Sequence, residues 1–222
     1  MKMKLQRLLF LFISLMVSGL AVGQTYNIVI KGGHVIDPKN NINAVMDVAV
    51  KDGKIAMVAK NIDAKEGRQV VDARGFYVTP GLIDMHVHVF QGTVLDHQYS
   101  NGPSSVTPDG FTFRSGVTTV VDAGCAGWRS FPDFKRNIID RSQTRVLALL
   151  NIVGDGMRGG PAEQNLKDME PVRTGEYAKK HSEDIVGIKL AHYSGHEWEP
   201  TDLTVEAGRI ADMPVMIDFR RR

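Results

Sequence analysis

Cysteine is almost absent: the 222 residues contain a single one, Cys125. No intrachain disulfide can form, so the fold must rest on its core. A surplus of charge is missing as well. Lys and Arg number 27 against 25 Asp and Glu, a formal net of +2, which leaves no electrostatic footprint for nucleic acid. There is no low-complexity block, because the 22 glycines and 9 prolines are spread along the chain, and no internal repeat is found. What is present is ordinary for a globular protein: 43% hydrophobic and 23% charged residues, over a length that can bury a sizeable core.

The one long apolar run lies near the N-terminus. Lys2, Lys4 and Arg7 precede "LLFLFISLMVSGLAVG", and the small residues Ala21 and Gly23 follow at alternate positions. Basic, then apolar, then small is the order of a secretory signal peptide, with cleavage expected before Gln24. The alternative is an uncleaved anchor, although the apolar part is short for a span of about 20 residues. Residues 1–23 are therefore expected to be a signal peptide. The mature chain would be periplasmic or secreted, from a Gram-negative bacterium, with no stable membrane anchor. No cysteine follows the small-residue site to carry a lipid.

Residues 24–79 read as short strands and turns. "YNIVIKGGHVIDP" alternates, breaks at Gly32-Gly33 and resumes. "MDVAVKDGKIAMVAK" sets Asp52-Gly53 between two alternating apolar runs, a hairpin signal. "VVDARGFYVTP" adds a strand with a glycine break. The expectation is a small β-sandwich half-domain, too thin to hold much core alone.

From Pro80 to Arg222 the pattern changes. Near-continuous apolar runs occur at 82–89, 116–124, 145–153, 184–191 and 214–219, as buried parallel strands do. Helical segments lie between them. "FPDFKRNIIDRS" has Asp133 in its first turn, and "TDLTVEAGRIADM" offers Thr201 as a cap. Alternation of strand and helix implies βα units. A βα barrel has eight strands over about 250 residues, and the chain stops on "DFRRR" after the fifth run. The expected fold class is α/β: a partial TIM-like (β/α) barrel, five of eight strands, behind the β half-domain. The alternatives are an open five-stranded parallel sheet and two copies pairing into one barrel, a homo-oligomer.

The chemistry concentrates in "TPGLIDMHVHVF", residues 79–90. Side chains two apart on a strand share a face, so Asp84, His86 and His88 project together from an apolar run. Paired imidazoles can hold one metal ion, and a carboxylate beside them can orient a ring. The alternative is a pair of core histidines bonded to backbone. Lys189, in the apolar run "DIVGIKLA", either snorkels to the strand end or is buried and held neutral.

"DARGFYVTPGLIDMHVH" resembles the amidohydrolase superfamily signature, in which a small β-unit passes through Pro-Gly into a first barrel strand ending in H-x-H. "GVTTVVDAG" resembles the second strand, and "IVIKGGHVIDP" with "VAVKDGKIAMVAK" resembles the N-terminal β-domain. The closest likeness is to dihydroorotases and deacetylases of N-acetylated amino-acid derivatives, over residues 26–219.

The resemblance implies a divalent metal centre, zinc expected, with one or two ions held by His86, His88 and a carbamylated Lys189. Members usually end the fifth strand on histidine. Here Asp218 stands there, either as a ligand or as an unliganded strand-end carboxylate. Arg158 and His192 are candidate contacts for a small-molecule amide substrate, with solvated loop histidines the alternative for His192 and His196. Cys125 reads as a buried small residue. The sixth-strand histidine and eighth-strand general-base aspartate of members would fall past residue 222. The implied reaction is hydrolysis of a C–N bond in an amide or cyclic amide. The 222-residue chain alone is expected to be poorly stable and inactive. The alternative to an enzyme is a truncated or non-catalytic exported protein.

Overall fold

A computed structural model describes residues 24–90, 105–158 and 160–218. The expected signal segment and the terminal arginines lie outside the described residues. The chain divides after Pro80 into two compact units.

In the first unit, β1 (Tyr26–Asp37), β2 (Ile42–Lys51), β3 (Lys54–Ala59) and β4 (Gly67–Asp72) form a sheet in the order β3-β2-β1-β4, with the short β5 (Tyr77–Val78) also on β1. The Asp52-Gly53 turn takes φ of 50° and 72°, which is the positive-φ pair that a two-residue type I′ hairpin needs. Gly32-Gly33 does not break β1 as expected. The strand runs on through a bulge, where the register shifts between Ile30 and Gly33 and Gly32 takes φ 70°. One inserted residue at positive φ bends a strand without ending it. The apolar core here is small: Tyr26, Val29, Ala49 and Ile62, with Ala59 packed against them. Buried Asp47 ties the sheet to the following loop, pairing with Lys31 and accepting from the amides of Gly32 (2.7 Å) and Ile62 (2.9 Å).

The second unit is a five-stranded parallel sheet of β6 (Leu82–Val87), β7 (Val117–Gly127), β8 (Arg145–Asn151), β9 (Ile185–Leu190) and β10 (Val215–Ile217). The spatial order follows the chain order, β6 to β10. A doubly wound sheet would reverse its order at a switch point; sequential order is that of a barrel wall. The expected partial (β/α) barrel is what the structure shows. Helices α1 (Pro108–Phe111), α2 (Phe131–Asn137), α3 (Pro171–Lys180) and α4 (Glu199–Ala211) connect the strands.

Two details differ from the sequence expectation. Helix α4 starts at Glu199 with Trp198 as its cap residue, so Thr201 lies inside the helix. Pro200 sets this start, since its fixed φ suits a first turn. Helix α3 carried no apolar period, because its buried face is Thr174, Gly175 and Ala178. Small residues suffice there: a Cβ on Gly175 would lie 2.7 Å from the Ala207 carbonyl of α4, so the two helices are in close contact. The core runs beneath the sheet through Phe90, Phe131, Phe134, Leu150, Ile152, Met157, Ile185 and Ile188, all buried.

Candidate metal centre

Parallel strands of a barrel end on one face, and residues at those ends converge. His86 sits near the end of β6, and His88 lies just past it. Their rings still meet edge to face at 5.5 Å between centroids, so both project to one side. Asp84 does not orient either ring as expected. Its Oδ1 accepts from the main-chain amide of His86 at 3.1 Å.

His88 is positioned from β7. Its Nδ1 lies 3.3 Å from Cys125 Sγ. Asp122, fully buried on the same strand, accepts from the amide of Val89 (2.9 Å) and that of Cys125 (2.7 Å). One carboxylate thereby fastens the exit of β6 to the end of β7. Burial lifts the Asp122 carboxyl to about 6, against the bonds from Cys125 and Val89 that would lower it. Sequence reasoning passed over Asp122, although an aspartate within "TTVVDAG" was a signal: a buried carboxylate needs hydrogen-bond donors. Possible ligand atoms of His88, Asp122 and Cys125 all lie within 4.8 Å of one another. Because both Asp122 oxygens already serve main-chain amides, we read Asp122 as the clamp that sets His88.

Lys189 is 1% exposed at the end of β9, and its Nζ is buried without a hydrogen-bond partner among the described residues. The nearest carboxylate, Asp218 Oδ2, is 3.5 Å away, an ion-pair distance that lacks hydrogen-bond geometry. Burial lowers the Lys189 pKa, while Asp218 and Asp122 oppose that shift. The lysine therefore does not snorkel. Gly124 makes room for it: φ there is 92°, and a Cβ would stand 2.5 Å from Lys189 Cγ. Asn151 backs this turn by donating to the Gly124 carbonyl at 2.9 Å. Asp218 directly follows β10, whose Met216 is in register with Lys189. His88 is held near 4, first by burial, then by the positive charges that His86, Lys189 and His192 can carry, with Asp218 opposing. A neutral imidazole is the form that binds metal.

The remaining candidates fall as follows. His192 is not a solvated loop histidine: its side chain is 19% exposed, with Nδ1 3.2 Å from Glu163 Oε2. His196 is exposed and lines a cleft of about 200 Å³ with Tyr193, Trp198, Thr201 and Asp218. Arg158 lies on the loop after β8, its guanidinium 2.9 Å from Asp155. Cys125 is buried, as expected, but its contact with His88 was not foreseen.

The donor set fits a divalent ion. It combines two adjacent imidazoles, one held neutral, a buried amine without a hydrogen bond among the described residues, and a strand-end carboxylate. Residues 77–217 match the amidohydrolase family. The chain belongs to that family. It is 33% identical over 183 residues to a deacetylase of Brucella anthropi, covering 79% of this chain and 44% of the deacetylase. To a dihydroorotase of Citrifermentans bemidjiense it is 31% identical over 189 residues, 77% of this chain and 43% of the other. Among solved structures it resembles an adenine deaminase (TM-score 0.71, 26% identity, 88% of this chain and 51% of that one). A dihydroorotase is similarly near (TM-score 0.70, 27% identity, 87% and 51%). The chain thus spans less than half the length of these curated relatives.

Proposed function

We propose that this amidohydrolase hydrolyses a C–N bond of an amide or cyclic amide, in the manner of a dihydroorotase or an N-acyl amino-acid deacetylase, at a divalent metal centre with zinc as the expected ion. The observation that carries the reading is Lys189: an amine buried at a strand end, without a hydrogen bond among the described residues, facing Asp218 and within electrostatic reach of His88. Leaving such a group unmatched is costly, and a metal cage gives it a role. His86 and His88 would supply imidazoles and Asp218 a carboxylate. As a neutral amine, Lys189 can add carbon dioxide, releasing one proton and forming a carbamate that would offer carboxylate-type oxygens to a metal ion. When bound, the metal supplies Lewis acidity, polarising the substrate carbonyl and acidifying water. Arg158 is proposed to meet a substrate carboxylate, sharing its guanidinium with Asp155. The order of residues 1–23 supports export, and a homo-oligomer belongs to the same reading.

A second reading is a non-catalytic exported protein. Metal content and turnover separate the two. Full-length protein is stripped with a chelator, reloaded with zinc and assayed on N-acetyl amino acids and on dihydroorotate. The enzyme reading expects bound zinc and hydrolysis that the chelator abolishes. Bound zinc without turnover on either class favours the second reading, and absence of zinc binding sinks the metal centre. Incubation with ¹³C-bicarbonate should give a carbamate carbon signal that Lys189→Arg loses.

A further inference from the structure

Just beyond β9, His192 holds an unusual backbone conformation. Its φ is 54°, the left-handed region that non-glycine residues rarely take. Such strain persists where surroundings enforce it, and here they do so from two sides. Glu163, 2% exposed, accepts from Nδ1 of the ring at 3.2 Å. Gln164 donates from Nε2 to the His192 carbonyl at 3.0 Å, and its Oε1 accepts from the amide and hydroxyl of Ser194. With Nδ1 occupied, Nε2 faces the strand ends, 3.7 Å from Asp218 Oδ2. Lys189 Nζ approaches the same oxygen at 3.5 Å. Both separations exceed a hydrogen bond, so three polar groups converge without closing on one another. A carboxylate behind one ring nitrogen, with the other nitrogen aimed at such a gap, is how metal-binding histidines are oriented.

We propose that His192 is a metal ligand through Nε2, with Glu163 as its positioning residue. The centre then takes its third imidazole from the loop after β9, while β10 contributes the Asp218 carboxylate. This rests on the metal-centre reading above, and it replaces the substrate contact that the sequence suggested for His192.

The test uses cobalt(II) as the probe on the full-length protein. Cobalt affinity is read by competition with a chromophoric chelator, and the coordination shell by visible spectrum and X-ray absorption. The wild type is expected to show three imidazoles. His192→Gln should show two and bind cobalt at least tenfold more weakly. Glu163→Ala should weaken binding by about 10–100-fold, and Glu163→Gln, which keeps an acceptor, should recover part of that loss. His34→Ala, in the other unit, should bind like wild type. The inference is overturned by two imidazoles in the wild type, a measurement that does not depend on any variant folding. It is equally overturned if folded His192→Gln keeps the wild-type affinity and spectrum. A wild type that binds no cobalt removes the metal-centre reading as well, so the two failures are distinct.

Discussion

Along β7 every residue from Val120 to Gly127 is buried, whereas along β6 only Val87 is. Strand β9 resembles β7, with Val186 its only residue not fully buried, and β10 resembles β6, with none buried. The inner strands are held by apolar contact. The edges bury fewer side chains, and beside their ladder pairing they carry polar ties: Asp122 of β7 to the Val89 amide, and the Asp218 amide to the Leu190 carbonyl at 3.1 Å. Yet the edges carry His86, His88 and Asp218, while the inner β9 carries Lys189. The candidate centre therefore joins the most and the least firmly held parts of the sheet, and a bound ion would do what apolar packing does not do there.

The largest expected effect lies in the middle. Leu150 on β8 is fully buried, and Leu150→Ala removes both transfer free energy and packing, about 3 kcal/mol. Denaturant unfolding would check this, and a loss under 1 kcal/mol would contradict the division between inner and edge strands. Metal comes next. Zinc at a hundredfold excess over its dissociation constant should stabilise the fold by about 2.7 kcal/mol. Hydrogen exchange should slow at residues 82–90 on loading and stay unchanged at 146–152; equal slowing in both segments would mean that the ion does not act through the edge.

Acidification gives a smaller and signed effect in metal-free protein. His88 is depressed from 6.5 to about 4, so it takes up a proton less readily folded than unfolded, and its contribution is lost as pH falls from about 6.5 to 4. Asp122 is raised from 3.8 to about 6, so its ionisation costs the fold above pH 6, and that cost is relieved as pH falls towards 4. The two oppose each other across one window. His88→Gln removes the first alone, and should gain about 2 kcal/mol on wild type between pH 7 and pH 4, the full shift being discounted for solvent screening of a partly exposed ring. Parallel pH profiles for the two proteins would show that burial does not depress His88.

Much of this arrangement was readable from residue order. Apolar runs near 82, 116, 145, 184 and 214 placed all five parallel strands; burial on both faces explains the runs of the inner three, β7 to β9, whereas β6 and β10 are apolar without being buried to that extent. The strand period put His86 beside His88, and Lys189 stood out as a charge in an apolar run. What could not be read depends on contacts distant in sequence. Glu163 meets His192 across 29 residues, and Asp122 meets Val89 across 33; neither pair leaves a local pattern. Helix α3 escaped because its buried face is built of small residues, which carry no hydrophobic period. The exposure of Ile83 and Met85 was also hidden, since alternation assigns a side chain to a face without saying whether that face is covered.

That uncovered face sets the smallest expected effect. Ile83 pairs in register with Thr119 of β7 and is 62% exposed. Ile83→Lys takes little apolar surface out of contact, and the lysine stem can lie along the strand with its ammonium in water. Folding stability should change by no more than about 0.5 kcal/mol. Self-association should fall, because a charge on an edge strand opposes edge-to-edge pairing. Light scattering at rising protein concentration reads the second effect, and denaturant unfolding the first. A loss above 1 kcal/mol would mean that this side chain is packed in the native protein, and β6 would then have to be counted with the inner strands.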